Sequence, residues 1–305
     1  MLEVEHLTKR FGTLTAVDDL SFTARPGRVT GFLGPNGAGK TTTMRVALGL
    51  MAPTSGRATF GGVPYQRLER PLRQVGSALE ASSFHPGRTA RDHLLMLAAA
   101  ARVGAARVGE VLGLVGLSAA ADRRVGGFSL GMRARLSLAA ALLGDPTVLL
   151  LDEPSNGLDP EGIVWLRDLT RALAADGKAV VVSSHLLAEV QNAVDDVVII
   201  AHGRLVHASP LDELAQEQDN RTVVVAADPD ALGRLAAARG WTLRPDPDGP
   251  PGGPAAAGAV VVGPTAAEIG HAAHLAGVEL HQLTTQRGGL EAVFLALTEG
   301  QGDIR

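Results

Sequence analysis

One short glycine-rich segment constrains the fold of this chain more than any other feature. Residues 34–41 read GPNGAGKT and lie between an apolar run, VTGFL, and a helix-forming stretch, KTTTMRVALGL. This order predicts a strand, a phosphate-binding loop and a helix, because glycines let backbone N–H groups turn toward phosphate oxygens at a helix N-terminus. Apolar runs alternating with helical patterns follow, so we expect a parallel β-sheet covered by helices on both faces.

The loop pattern assigns roles to its own side chains. Lys40 is expected to reach the β- and γ-phosphates of a nucleotide, and the hydroxyl of Thr41 is expected to bind Mg²⁺. Lysine occurs only at positions 9, 40 and 178 of this arginine-rich chain, and its compact ammonium suits the loop better than a forked guanidinium. The predicted nucleotide-binding residues of this segment are Gly34, Pro35, Asn36, Gly37, Ala38, Gly39, Lys40, Thr41 and Thr42.

Polar side chains follow two other predicted strands at the points where the strands end. Asp152 and Glu153 come after the run VLLL, and His185 comes after VVVSS. Since ligands bind at the carboxyl edge of a parallel sheet, we expect these groups near the phosphate loop. Asp152 would hold Mg²⁺ through water, Glu153 would orient or deprotonate an attacking water, and His185 would contact the γ-phosphate.

The order of these motifs resembles that of the ATP-binding cassette (ABC) ATPases over residues 2–215. It runs from the phosphate loop through SLGMR at 129–133 and LLLDEPSNGLDP at 149–160 to SSH at 183–185. The resemblance implies ATP as the nucleotide and an adenine ring stacked on Phe11. It also implies that Asp159 lies in a D-loop that crosses to a partner.

The resemblance further implies a second cassette. Ser129 and Gly131 stand where the family caps the γ-phosphate that is bound by another cassette. Two cassettes, either copies of this chain or different chains, would therefore stack head to tail and close each other's sites. A serine at a helix start is suited to this role because the first N–H groups of a helix attract anions.

The chain departs from the family pattern at two places. The usual signature, Leu-Ser-Gly-Gly-Gln, has become Phe-Ser-Leu-Gly-Met, with Leu130 and Met132 in place of a glycine and the glutamine. The glutamine of the Q-loop is replaced by Glu80, which could act in catalysis as a further Mg²⁺ ligand or be a simple loop carboxylate. Glutamate here, with SLGMR and with ARDHL at 90–94, resembles a branch that powers two-component exporters of peptide antibiotics and other drugs.

The expected organisation is a nucleotide-binding domain at 1–214 and an accessory domain at 215–305. The first is a P-loop core of parallel sheet plus an antiparallel subdomain, with a helical insert at about 86–130 that Thr89 opens as an N-cap. Residues 52–62 are expected to form a hairpin. The second is expected to be a small β-α-β unit with a surface loop at 244–258.

Two further C-terminal features receive no chemical role. The tail GGLEAVFLALTEG is expected to be a helix whose apolar stripe joins a core, through Leu290, Val293, Phe294 and Leu297. The nearby histidines at 271, 274 and 281 are not accompanied by a pair of carboxylates, so a metal site there is disfavoured.

Composition narrows the range of partners and locations. The chain has 305 residues, a net charge of −4 and no cysteine, which disfavours nucleic acid as a partner and excludes thiolate metal sites. No apolar run approaches the ~20 residues of a membrane helix. The expected location is the cytoplasm, peripheral on the inner face of the cell membrane through a permease.

The leading hypothesis is the ATP-binding and ATP-hydrolysing subunit of an ABC exporter whose permease is a separate chain that docks around residues 80–88. One alternative is a soluble ABC ATPase acting on ribosomes or DNA, but paired cassettes, charged arms and zinc-binding cysteines are missing. A small-molecule kinase would not explain SLGMR beside LLLDEP. A binding or self-protection module with vestigial hydrolysis stays open because of Glu80.

Overall fold

The computed structural model of this chain describes residues 1–79, 84–186, 191–216, 221–245 and 259–286. These residues form two compact units, one spanning Met1–Leu211 and one that begins at Asp212. Glu80, loop residues 246–258 and the tail with its apolar stripe lie outside the described residues. No helix in the described part of the chain is long and apolar enough to cross a membrane.

An antiparallel sheet of three strands begins the first unit, as the alternating N-terminal sequence predicts. Its order is β2-β1-β4, with β1 at Leu2–Phe11, β2 at Leu14–Ala24 and β4 at Ser55–Phe60. The predicted hairpin at 52–62 is wrong as a pair of strands, because β4 pairs along its length with β1 and meets its neighbour in sequence through one bridge, from Phe60 to Val63. Gly56 permits this approach, since a Cβ at that position would collide with His6 O.

The central sheet has six strands in the order β5-β6-β7-β3-β8-β9. Five are parallel and only the last, β9, runs antiparallel to its neighbour. Their branched apolar residues are nearly all buried, as expected for a sheet covered on both faces. The bounds are Val29–Leu33 for β3, Val75–Ala78 for β5, Val148–Leu151 for β6, Ala179–Ser184 for β7, Asp196–Ala201 for β8 and Arg204–Pro210 for β9.

The described residues up to 216 contain seven helices, of which the last lies almost wholly in the second unit. Thr89 caps α3 by accepting a hydrogen bond from the Asp92 N–H, which confirms the predicted start of that helix. The 86–130 segment also holds α4 and two 3₁₀ turns, so its predicted helical character is confirmed. The bounds are Lys40–Ala47 for α1, Pro71–Gln74 for α2, Ala90–Ala101 for α3, Ala106–Leu114 for α4, Leu130–Leu142 for α5, Pro160–Ala175 for α6 and Leu211–Gln216 for α7.

A single apolar core joins the antiparallel sheet to the central sheet. Phe22 of β2 stacks on Phe32 of β3 with ring centroids 5.0 Å apart. Leu7 and Leu20 are fully buried in the same cluster, and burying each such side chain stabilises the folded state by about 1.5–3 kcal/mol. This packing holds β2 against the phosphate loop, where a Cβ at Gly39 would lie 2.5 Å from Ala16 O.

The second unit contains a four-stranded antiparallel sheet with two helices between its strands. Its order is β11-β12-β10-β13, and the chain runs β-α-β-β-α-β, which contains the small β-α-β unit predicted. The bounds are Arg221–Ala226 for β10, Pro229–Arg239 for α8, Thr242–Pro245 for β11, Ala259–Val262 for β12, Ala266–Ala276 for α9 and Leu280–Gln286 for β13. Thr265 and Glu268 form a capping box at the start of α9.

Candidate nucleotide-binding site

The phosphate loop links β3 to α1 and encloses a cavity of about 200 Å³. Gly39 caps α1 at φ 104° and Gly37 has φ 83°, so both stand in the left-handed region that favours glycine. The unpaired N–H groups at the start of α1 make this a site for anions. The cavity is lined by Ala16, Asn36, Gly37, Ala38, Gly39, Lys40, Thr41, Thr42 and Glu153.

Lys40 is folded back into the loop and only 6 % of its surface is exposed. Its Nζ donates hydrogen bonds to Gly34 O at 2.6 Å and Pro35 O at 3.2 Å, and lies 3.4 Å from Glu153 Oε1. Burial lowers the pKa of Lys40, while the carboxylate of Glu153 opposes that shift. The ammonium is thus held at the wall of the phosphate cavity.

Asp152 stands at the end of β6 and accepts two hydrogen bonds. Thr41 Oγ1 donates to its Oδ2 at 2.6 Å, and Ser183 Oγ donates to its Oδ1 at 2.5 Å. The register of the parallel strands explains the second contact, because Leu151 pairs with Val182 and the next residues therefore lie side by side. This arrangement fixes a carboxylate beside the hydroxyl of the phosphate loop.

Ser183 is a residue that our sequence reasoning missed. It is fully buried, and its hydroxyl also accepts a hydrogen bond from the Glu153 N–H at 2.9 Å. One hydroxyl therefore supports both acidic residues. A polar side chain at the buried end of β7, two residues before His185, was the signal that could have identified it.

Glu153 and His185 meet although each follows a different strand. His185 Nδ1 lies 2.9 Å from Glu153 Oε2, and only 19 % of the glutamate side chain is exposed. Glu153 has φ 47°, an uncommon conformation for a residue other than glycine, and such strain is common in active sites. The glutamate therefore has an imidazole on one oxygen and the Lys40 ammonium near the other.

The residues present fit a magnesium nucleotide. The hydroxyl of Thr41 and the carboxylate of Asp152 are the hard oxygen ligands that Mg²⁺ prefers. The left-handed glycines and the buried ammonium of Lys40 supply the donors and positive charge that a triphosphate requires. In the described part of the chain, no group of three His, Cys, Asp or Glu side chains could hold a metal by itself.

Phe11 is not among the described residues that line the phosphate cavity. It ends β1, is 45 % exposed, and has the Nζ of Lys9 at 4.9 Å from its ring centroid. Its strand is paired with β2, which carries the cavity residue Ala16.

The remaining predicted residues cap helices. Ser129 is exposed and caps α5, with its hydroxyl accepting a hydrogen bond from the Met132 N–H at 3.2 Å. Asp159 caps α6 by accepting a hydrogen bond from the Gly162 N–H at 2.8 Å. Neither residue is among the described residues that line the phosphate cavity. Gly131, the second residue of α5, is not among them either.

The fold and the site define a class of protein. A phosphate loop after one parallel strand, paired carboxylates after a second and a histidine after a third meet at one sheet edge. This is the arrangement of a P-loop nucleoside triphosphatase.

Comparison with known proteins shows the family. Residues 17–156 match the family described as ABC transporter. The bacitracin transport ATP-binding protein BcrA of Bacillus licheniformis is 43 % identical over 217 residues, covering 70 % of this chain and 71 % of that protein. The chain belongs to the ATP-binding proteins of ABC transporters, and it is therefore an ABC-type ATPase and one subunit of a larger transporter.

Two further comparisons agree with this assignment. The Nod factor export ATP-binding protein I of Burkholderia lata is 36 % identical over 234 residues, covering 75 % of this chain and 77 % of that protein. A solved ATP-binding subunit of an ABC transporter superposes with a TM-score of 0.65 at 28 % identity, covering 71 % of this chain and 92 % of that one. Residues 220–291 match a family described as a domain of unknown function.

Proposed function

We propose that this ATPase hydrolyses MgATP in a site shared by two cassettes, and that it powers export through a membrane permease formed by another chain. The observation that carries the proposal is the position of Glu153, 3.4 Å from the Lys40 ammonium and 2.9 Å from His185 at the edge of the phosphate cavity. A carboxylate so placed can orient or deprotonate a water that attacks the γ-phosphate.

The chain's own residues divide the work. Thr41 and Asp152 would hold Mg²⁺, which when bound neutralises charge on the phosphate oxygens. Lys40 and the backbone of the loop would hold the phosphates, and His185 would orient the carboxylate of Glu153. Ser183 would keep both acidic residues in place through its two hydrogen bonds. Glu80 is proposed as a further ligand or catalytic group in the Q-loop.

A second cassette would complete the site. Ser129 and Gly131 lie at an exposed helix start, outside the set of described residues that line the chain's own phosphate cavity. The N–H groups there can bind an anion brought by a partner. Ser129 and Gly131 would thus cap the γ-phosphate of a neighbouring cassette, Asp159 would lie at the same interface, and Phe11 would stack on adenine.

The names of the relatives support a proposal for the cargo. Those proteins are named for bacitracin transport and Nod factor export. We therefore assign this chain to export of a drug, a peptide antibiotic or a lipid-like molecule, with the cassette held at the inner membrane face by its permease. Residues 1–214 would form the cassette and 215–305 an accessory domain.

Trapping the ATP-bound pair tests this function. Glu153→Gln should bind MgATP, lose turnover and elute as a dimer in size-exclusion chromatography, because the site closes but cannot activate water. Lys40→Ala should lose both turnover and dimer formation, whereas Lys178→Ala, which removes a lysine paired with Asp145 far from the loop, should keep both. A Glu153→Gln protein that stays monomeric at saturating MgATP would contradict the shared site.

A further inference from the structure

The start of α5 packs directly against the loop that follows Glu153. The side chain of Leu130 lies over the Cα of Gly157, where an added Cβ would be 3.0 Å from Leu130 Cβ and closer still to its Cγ and Cδ2. A Cβ at Gly131 would lie 2.9 Å from Gly157 O. Two successive residues of the helix start therefore touch one point of the loop.

Two hydrogen-bonded turns restrict the backbone of this loop. The Asn156 N–H donates to Glu153 O at 3.1 Å, and the Leu158 N–H donates to Ser155 O at 3.0 Å. These overlapping turns leave few free torsions between Glu153 and Gly157. A displacement of Gly157 would therefore also move the carboxylate of Glu153.

One face of the loop borders a cavity. The cavity has a volume of about 270 Å³, and its walls include Glu153, Pro154, Asn156 and Leu158 as well as Leu130. Since a loop beside a cavity lacks packing on that face, its position depends on the contacts it does make. Leu130 supplies one of these contacts although 57 % of its surface is exposed.

We propose that Leu130 is a positioning residue that couples the serine cap at Ser129 to the catalytic carboxylate at Glu153, through its contact with Gly157. The inference rests on the proposed function, in which Ser129 serves the partner's nucleotide and Glu153 serves the chain's own. Closure of one site would then set the carboxylate of the other, so the two sites of a dimer hydrolyse ATP cooperatively.

Variants at Leu130 distinguish this coupling from a contribution of the side chain to the stability of the fold alone. Leu130→Ala should lower kcat about tenfold and reduce the Hill coefficient for ATP from near the limit of about 2 toward 1. Its affinity for MgATP, measured by calorimetry on the monomer, should stay within about twofold of wild type. Leu130→Met keeps the side-chain volume and should restore both kinetic values.

The matched control is Leu114→Ala, which truncates another exposed helical leucine, 47 % exposed on α4 and not among the described residues that line the cavity beside the loop. It should leave the Hill coefficient and kcat unchanged. The proposal is overturned if Leu130→Ala keeps wild-type cooperativity. It is also overturned if that variant loses melting temperature and MgATP affinity together, as a purely structural role would require.

A second variant distinguishes failure of this inference from failure of the proposed function. Ser129→Ala should reduce turnover with the dimer intact, because the cap serves the partner's phosphate. If Ser129→Ala reduces turnover and Leu130→Ala changes nothing, only the coupling is refuted. If neither Ser129→Ala nor Lys40→Ala affects turnover, the shared-site function is refuted as well.

Discussion

Thr41 Oγ1 donates a hydrogen bond to Asp152 Oδ2 at 2.6 Å, although the two residues are 111 positions apart in the chain. Thr41 is the second residue of α1 and Asp152 directly follows β6, so the contact joins the phosphate loop to the acidic edge of the central sheet. A hydroxyl and a carboxylate in contact form a pair of oxygen ligands suited to Mg²⁺.

The hydroxyl at position 41 is expected to set the requirement for Mg²⁺. Thr41→Ala removes a hydrogen bond to a charged group and one ligand, so turnover should fall about tenfold to a hundredfold and half-saturation should need more Mg²⁺. Thr41→Ser keeps the hydroxyl and should stay close to wild type. Titrating Mg²⁺ in an ATPase assay measures both, and equal half-saturation in the alanine variant would refute the role.

Ser183 is expected to contribute to turnover by holding Asp152 and Glu153 in place. Ser183→Ala removes the donor to Asp152 and leaves the Glu153 N–H without its acceptor, so kcat should fall about tenfold or more while the fold persists. The comparison is Ser118→Ala, in a 3₁₀ turn of the helical insert. Steady-state kinetics and circular dichroism test the pair, and normal kcat in Ser183→Ala would count against this assignment.

His185 is expected to act on the chemical step rather than on binding. Without its imidazole, Glu153 loses the partner at 2.9 Å that orients it, so His185→Ala should lower kcat about a hundredfold with little change in KM. His207→Ala removes a half-buried histidine of β9 and is the control. A raised KM with unchanged kcat would mean that the histidine only binds nucleotide.

Phe11 is expected to contribute to the binding of the adenine base of ATP. Base stacking on an aromatic side chain contributes about 1–3 kcal/mol, so Phe11→Ala should raise the KM for ATP at least fivefold while Phe11→Trp keeps it low. Leu14→Ala, at another exposed apolar residue of this edge, is the control. Binding of inorganic triphosphate should not respond to Phe11→Ala, and a parallel loss there would refute stacking.

His93 is expected to make folding sensitive to acid. It is 8 % exposed, its ring contacts Phe84, and its Nδ1 finds no hydrogen-bond partner in the described part of the chain. Burial, helped by Arg88, lowers the pKa of His93 from 6.5, so below pH 6.5 the unfolded chain binds a proton that the folded chain resists. Stability should therefore fall as the pH drops below about 6.5.

Urea unfolding at pH 7.5 and pH 5.5 measures this effect. Between these pH values, the free energy of unfolding of the wild type should fall by up to about 1.4 kcal/mol more than that of His93→Phe. The lower pH is one unit below 6.5, and one pH unit corresponds to that free energy. His271→Gln changes an exposed histidine and should behave as wild type. Equal losses in wild type and His93→Phe would show that His93 does not titrate on unfolding.

Local sequence was sufficient where a few consecutive residues decide the conformation. The phosphate loop was predictable because the glycines, the lysine and the flanking strand and helix all lie within one short stretch. Asp152, Glu153 and His185 were predictable because each directly follows an apolar run, and the carboxyl ends of parallel strands share an edge. Thr89 was identified as a helix cap for the same local reason.

Tertiary structure decided which distant segments meet. The 52–62 segment has turn residues suited to a hairpin, but burial of β1 between two partners selected the β4 pairing instead. The hydroxyl of Ser183 reaches Asp152 because the register of β6 and β7 aligns them, and Leu130 reaches Gly157 because α5 packs across the loop. Register and packing depend on the whole core, so no local pattern could have specified these contacts.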